Sequence, residues 1–236
     1  MGSRILLAAA VGQEIGLIGS SLVGSSRYKI GPFRVQRGLL SGQSIFLVTG
    51  GMGAVAMATT LSALMPEVRP DFLLLVGCGG GFWDAGVRPL HMAVASEEIA
   101  PQLGVEEFGG AGLPQPVDLL DNRIDLDTEI SRQACYVLSQ AFRGTPIRYG
   151  PFVTVSTITA TERTARQYYQ IYEAIVENME GFGAAYACKV FGVPMVEIRC
   201  VSNVVGDRNK ASWKLRESFK AAQEAALVLL RSGVVP

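Results

Sequence analysis

The chain has 236 residues, 49% of them hydrophobic, which is enough apolar side chain for one large core and ordinary for a single α/β domain. Lysine plus arginine and aspartate plus glutamate both number 21, so no basic excess exists to hold a phosphate backbone and no nucleic-acid partner is expected. His91 is the only histidine, which argues against a histidine-rich metal cluster or a Ser-His-Asp triad and leaves His91 as the sole candidate for a histidine base; Cys78, Cys135, Cys188 and Cys200 form no Cys-x-x-Cys pair and read as free thiols of a reducing compartment, not as disulfides or zinc ligands.

Arg4 followed by the apolar run 5–11 imitates a short signal peptide, but Glu14 arrives too soon and the run is far below the roughly 18 residues that cross a bilayer. Residues 5–10 therefore read as the opening central strand, with Val11-Gly12-Gln13-Glu14 turning off its carboxyl end into a short helix. Glu14 is thereby placed where open α/β sheets bind ligands, although the helix dipole alone also favours an acid in a first turn. Residues 28–40, punctuated by Gly31-Pro32 and Gly38, read as turns and short strands, and Ser41-Gly42-Gln43 as a hairpin turn before a strand at 44–48. Thr49-Gly50-Gly51-Met52-Gly53 then runs into a helix at 54–64. Glycines at such a junction let backbone N–H groups approach a ligand, and Gly51-x-Gly53-x-x-Ala56 invites a dinucleotide reading. That reading needs an acid ending the next strand about 20 residues on. Asp71 instead begins the strand at 72–76, so no dinucleotide is expected, nor any other cofactor or metal.

Gly77-Cys78-Gly79-Gly80-Gly81 and the following Phe82-Trp83-Asp84-Ala85-Gly86 lack helical periodicity. They read as a loop whose backbone can pass close to a flat ring or sugar, or as a tight crossover. A third buried strand is predicted at 90–95, with His91 inside it, before Ser96-Glu97-Glu98. Gly109-Gly110-Ala111-Gly112-Leu113-Pro114-Gln115-Pro116 forbids regular structure and is long enough to be functional. Leu103, Val105, Phe108 and Leu113 nearby need cover, which predicts a homo-oligomer with residues 97–116 at or near the contact. Residues 127–143 read as an amphipathic helix with Ile130, Ala134, Val137, Leu138 and Ala141 on one face. A strand at 147–156 leads through Thr157-Ile158-Thr159-Ala160-Thr161 into a helix at 162–171, and an Ala- and Leu-rich helix at about 211–230 closes the chain. No repeat, low-complexity tract or linker intervenes, so residues 1–236 are expected to form one domain.

Residues 176–208 carry the densest signal. Glu180 stands at the mouth of a small-residue helix, a buried strand follows at 194–201, and Ser202 and Asn203 form a polar turn at its carboxyl end. Asn178-Met179-Glu180, then Arg199, then Ser202-Asn203 resembles the purine nucleoside phosphorylase and nucleosidase superfamily, whose members carry Glu-Met-Glu and a later Ser-Asp or Ser-Asn. Within it, Ser202-Asn203-Val204-Val205-Gly206-Asp207-Arg208 is similar to the futalosine hydrolase branch. The resemblance extends over most of the chain. It implies an α/β fold of three layers, a mixed β-sheet flanked by helices, and a cytoplasmic hydrolase that cleaves the N-glycosidic bond of futalosine, releasing hypoxanthine, in menaquinone biosynthesis. A purine nucleoside phosphorylase or a methylthioadenosine-type nucleosidase is the alternative on the same fold, and a nucleoside-binding protein is the non-enzymatic one.

The resemblance also implies roles. Glu14 is the base that activates water; Glu180 accepts hydrogen bonds from ribose hydroxyls and holds negative charge near a cationic sugar, with Met179 beneath that sugar. Cys78 and Gly79 belong to a small-residue loop lining base and sugar, Cys78 standing where a serine or similar small residue is frequent. Thr157, Ile158 and Thr159 supply an apolar face and backbone contacts to the purine, or else an ordinary helix-capping turn. Asn203, next to Ser202, stands where adenine-cleaving nucleosidases carry aspartate. An amide can donate to O6 of a 6-oxopurine and accept from a protonated N7, whereas a carboxylate repels O6; this favours hypoxanthine, while asparagine is also a common turn residue. Asn178, a substrate-contact candidate, departs from the first glutamate of Glu-Met-Glu, so the 5′ substituent is expected to be held differently. Arg208 is a candidate partner for the benzoate of futalosine or a solvated surface residue, and Arg199 a partner for a buried acid. A phosphate nucleophile would want arginines near the early glycines, where this chain has Gln13 and Glu14, so water is the expected nucleophile.

Overall fold

Apolar runs without charge become central strands, because a parallel strand is buried on both faces. In the computed structural model, which describes residues 2–105, 114 and 120–235, β1 (Arg4–Ala9) pairs in parallel with β4 (Gln43–Thr49) on one side and β5 (Phe72–Gly81) on the other. Its side chains divide alternately between two layers. Ile5, Leu7 and Ala9 pack with α1 (Gly16–Ser21), α3 (Glu129–Ala141) and α6 (Leu215–Ser232). Leu6 and Ala8 pack with α2 (Ala54–Val68) and α5 (Gly181–Phe191). This is the expected sheet between helical layers. α4 (Glu162–Tyr172) closes a third, smaller cluster over Phe82, Val153 and Val155.

Beyond β4 the sheet continues antiparallel through β3 (Phe33–Leu40) to β2 (Val23–Ile30). The turns and short strands expected at 28–40 are thus parts of two strands of 8 residues each, with Gly31 at the hairpin in the left-handed region, φ 56°. Gly38 is not punctuation. It lies inside β3, where an added Cβ would meet the Cβ of Leu22 at 2.7 Å.

On the other side of β5 the sheet closes on itself. β5 pairs in parallel with β10 (Met195–Val204), and β10 is antiparallel to β6 (Met92–Ile99). β6 is parallel to β8 (Ile147–Thr154), β8 is parallel to β9 (Val176–Asn178), and β9 returns antiparallel to β5, completing a ring. β7 (Arg123–Asp125) extends the far half of β6. The loop expected at 77–81 is therefore strand. Its glycines are needed for close approach: a Cβ on Gly79 would sit 2.7 Å from Val176 Cγ1 and 2.8 Å from the carbonyl oxygen of Glu177.

β6 begins after His91 and carries Glu97 and Glu98, which the sequence placed beyond the strand. The region expected to meet a second subunit lies partly outside the described residues, including Phe108 and Leu113; Leu103 and Val105 are 39% and 56% exposed. Among the described residues no helix is long and apolar enough to cross a membrane.

α5 presses on the start of α2 because Gly183 has no side chain; a Cβ there would lie 2.1 Å from the carbonyl oxygen of Ala54. Gly183→Ala is expected to destabilise the fold by about 1 to 3 kcal/mol through overpacking. A urea titration should show a lower midpoint with an unchanged slope.

Candidate active site

The carboxyl end of β1, the glycine track of β5, the junction of β9 with α5 and the end of β10 enclose a cavity of about 290 Å³. Of the residues singled out in the sequence, Glu14, Cys78, Gly79, Ile158, Asn178, Met179, Glu180, Ser202 and Asn203 lie in its wall. Thr157, Thr159 and Arg208 do not. Thr157 and Arg208 are exposed, and Arg208 lies with its guanidinium 5.1 Å from the ring of Trp213, itself a wall residue.

Glu14 is brought to the cavity by the 3-10 turn Gly12–Glu14, which curls back on the end of β1. Its Oε2 accepts from the N–H groups of Ala10 (3.1 Å) and Val11 (3.2 Å), and its Oε1 from that of Cys78 (3.0 Å). Burial pushes its pKa above the ordinary 4.5, outweighing the lowering by Arg199 and the backbone donors. A carboxylate held in place yet with a raised proton affinity suits general-base work. The Cys78 thiol is pushed up to about 12, first by burial and then by the Glu14 charge, so it is inert as a nucleophile.

Arg199, expected as the partner of a buried acid, has two. Its Nε donates to Glu197 Oε1 (2.8 Å) and its Nη1 to Glu180 Oε2 (3.2 Å). The remaining donors reach the carbonyl oxygen of Cys78 (3.2 Å) and Asn178 Oδ1 (3.4 Å). Burial opposes the charge, but Glu197, Glu180 and Glu14 outweigh it and push the guanidinium pKa further up. Gly77 makes room for this pairing, since a Cβ there would lie 2.7 Å from Arg199 Nη1 and 2.8 Å from Glu14 Oε1.

The second oxygen of Glu180, Oε1, accepts from the Gly53 N–H (3.1 Å) at the start of α2. The helix terminus that invited an external anion is thus turned to the protein's own carboxylate. Asn178 fixes the turn that carries Glu180: its Oδ1 accepts from the N–H groups of Glu180 (2.9 Å) and Gly181 (2.7 Å), and its Nδ2 donates to Glu98 Oε1 (2.6 Å). Its amide is therefore committed to the protein, although it lines the cavity.

Behind this layer Glu98 and Glu197 converge over Gly181, whose absent Cβ would fall 2.0 Å from Glu98 Oε1 and 2.5 Å from Glu197 Oε2. Burial, then the Glu197 charge, drives the Glu98 pKa well above the carboxylate range. Glu197 Oε2 has no hydrogen-bond partner among the described residues. Three carboxylates of the wall, Glu14, Glu177 and Glu180, stand with one guanidinium, which Glu197 also pairs from behind, so the wall holds more acids than bases and favours a ligand that gains positive charge as it reacts.

At the end of β10, Ser202 Oγ donates to Asn203 Oδ1 (2.7 Å) and lies 3.2 Å from the carbonyl oxygen of Gly79, while Asn203 Nδ2 donates to the carbonyl oxygen of Val204 (3.1 Å). The Val204 carbonyl, which can only accept, thereby fixes which side of the amide carries the donor. Sequence reasoning missed Glu177, Met52, Trp213 and Phe219, all in the wall. Glu177 lies in β9, whose 3 residues are too few for an alternating pattern to reveal a strand. Thr159 acts through it: its N–H donates to Glu177 Oε1 (3.1 Å) and its hydroxyl to Glu177 Oε2. His91 is not in the wall; its Nδ1 accepts from the Arg88 N–H (3.3 Å).

Comparison with known proteins places these features in a family. The sequence profile of the phosphorylase superfamily matches residues 4–232. Futalosine hydrolase of Streptomyces coelicolor is 33% identical over 186 residues, covering 76% of this chain and 75% of that protein. Futalosine hydrolase of Thermus thermophilus is 30% identical over 203 residues, covering 84% and 86%. The solved structure of 5′-methylthioadenosine/S-adenosylhomocysteine nucleosidase from Neisseria meningitidis, in complex with methylthio-immucillin-A, has the same fold, with TM-score 0.86 at 21% identity over 98% of this chain and 99% of that one.

Removing one member of a buried ion pair strands the other. Arg199→Met is expected to lower the unfolding free energy by about 3 to 5 kcal/mol, read from the urea midpoint.

Proposed function

The chain belongs to the phosphorylase superfamily, and on that premise we propose that it hydrolyses the N-glycosidic bond of futalosine, releasing hypoxanthine, as a step toward menaquinone. The charge balance of the cavity carries this reading. Arg199 is the one cation in the described wall, and four of its five N–H donors are engaged by Glu197, Glu180, Asn178 and the Cys78 carbonyl. A phosphate nucleophile would meet an excess of carboxylates with no free cation to hold it. Water meets a base.

In the reaction so read, the Glu14 carboxylate takes a proton from water as the water oxygen bonds to C1′ of the ribose. The C1′–N9 electron pair passes to the purine as a proton from solvent water reaches N7, and the N7–H then donates to Asn203 Oδ1; the proton held by Glu14 returns to solvent. Glu180 binds the ribose hydroxyls, and the negative wall stabilises the cationic sugar of the transition state. Met179, Ile158 and Phe219 supply apolar surface to sugar and base. Choice of the purine falls to Asn203, whose Nδ2 can turn from Val204 to donate to O6. The two futalosine hydrolases named above, at 33% and 30% identity, support that substrate. The nucleosidase of Neisseria meningitidis, named for 6-aminopurine nucleosides, supports the bond type but not the base.

Purified protein incubated with futalosine, inosine and methylthioadenosine, with and without phosphate, should release hypoxanthine and a free sugar from futalosine at a rate that phosphate does not change. A sugar 1-phosphate product, or cleavage of methylthioadenosine alone, would refute the assignment. Glu14→Gln is expected to lower kcat by about 10²- to 10⁴-fold with little change in hypoxanthine affinity. Because Glu14 must be deprotonated to act and its pKa is raised, kcat/KM of the unaltered enzyme should fall with decreasing pH along a limb centred above 4.5, and that limb should vanish from the residual activity of Glu14→Gln. Asn203→Asp should shift the preference for the 6-oxo over the 6-amino nucleoside by about 2 to 4 kcal/mol toward the amino form; an unchanged ratio would remove Asn203 from base selection.

A further inference from the structure

Glu177 is a buried carboxylate in the cavity wall that the reaction above leaves unused. Its position follows from strand register. Gly80 of β5 is paired with Glu177 of β9 on one side and with Asn203 of β10 on the other. Laterally paired residues project to the same face of a sheet, and two strand spacings separate the flanking Cα atoms by roughly 9 to 10 Å. Glu177 and Asn203 therefore rise on either side of a residue with no side chain. An added Cβ on Gly80 would lie 3.4 Å from Asn203 Nδ2, which puts the amide on that face. Val205 Cγ2 would lie 2.9 Å from the same Cβ and fills the space directly over Gly80, so Glu177 and Asn203 meet a ligand in the cavity that both of them line.

The carboxylate is also held in one pose. Thr159 donates its N–H to Oε1 (3.1 Å) and its hydroxyl to Oε2. An ionised carboxylate accepts only, and each oxygen keeps a lone pair for a ligand. Burial raises the Glu177 pKa, while the two Thr159 bonds and the Arg208 charge pull it down.

N1 distinguishes the two purine classes as sharply as position 6 does. In a 6-oxopurine N1 carries a hydrogen and is a donor; in a 6-aminopurine it is a bare acceptor. We propose that Glu177 accepts the N1–H of the purine, so that Glu177 and Asn203 read two adjacent positions of the 6-oxo edge from opposite sides of Gly80. This rests on the nucleosidase reading above and makes Glu177 a second specificity determinant. A 6-aminopurine then loses twice, at O6 and at N1, where lone pairs of ligand and carboxylate face each other.

Binding of free bases separates this contact from the reaction. By calorimetry the unaltered protein should bind hypoxanthine at least about tenfold more tightly than 1-methylhypoxanthine, the scale of a buried hydrogen bond denied its partner. Glu177→Ala should weaken hypoxanthine by a similar factor and abolish the penalty on the methylated base. Glu177→Gln, the closest isostere, should lower kcat/KM on futalosine about tenfold to a hundredfold while holding or raising that on 6-amino-6-deoxyfutalosine, because an amide can donate to a bare N1. Equal affinity of the unaltered protein for the two bases would overturn the contact. So would a Glu177→Ala protein that accepts the methylated base while binding hypoxanthine unchanged, which marks a steric wall only. Cleavage of futalosine together with tolerance of the N1-methyl group would sink the contact and leave the reaction standing; the methyl penalty without cleavage would do the reverse.

Discussion

One buried guanidinium holds the site together. Taking Arg199 out of water costs several kcal/mol, which only close and well-formed pairing can offset, and its partners come from three elements: Glu197 from its own strand, Glu180 from the mouth of α5, the Cys78 carbonyl from β5. Strand β10 cannot slide, nor the turn before α5 swing, without separating buried opposite charges. The glycines around the cluster follow from it, because Gly77 and Gly181 stand where a Cβ would enter the space that the charged groups occupy. Behind it Glu98 and Glu197 crowd together over Gly181, and burial and the Glu197 charge raise the proton affinity of Glu98.

A second consequence concerns the glycine turn before α2. Thr49-Gly50-Gly51-Met52-Gly53 has the look of a phosphate cradle, and the N-terminus of a helix of 15 residues attracts anions. Glu180 supplies the anion from within, through the Gly53 N–H. The same bond aims the other oxygen of Glu180 at Arg199, so helix dipole and guanidinium fix one carboxylate from two directions. That leaves Glu180 rigid where it faces the cavity.

Much of this was legible in the sequence. Apolar runs announced β1 and β4, and a strand ending in Ser202-Asn203 announced β10 and a crevice. Glu14 was set at the crevice by the turn off a first central strand, although the helix dipole alone would also have accounted for an acid there. The failures share one cause, that a glycine permitting close approach looks the same as a glycine permitting a turn until its neighbours are known. Gly38 and the track from Gly77 to Gly81 were read as breaks, yet their neighbours, Leu22, Val176, Glu177, Val201 and Val205, include residues more than ninety positions away for the track. The short strand β9 was invisible for want of length, and with it the relation of Glu177 to Asn203 across Gly80. Thr159 was noticed for the ligand it was expected to touch, whereas its bonds go to the carboxylate behind that position.

Closure of the strands into a ring has an effect at the opposite end of the sheet. The ring leaves its members few unpaired backbone groups, so the long unpaired border of the described sheet is the outer side of β2. Unpaired strand borders recruit strands from other chains and seed aggregation. β2 is exposed along most of its length, carries Arg27 and Lys29, and breaks register with β3 between Val23 and Ser26. Positive charge and a local bulge both frustrate strand addition. Addition of a further strand at this border is thereby disfavoured.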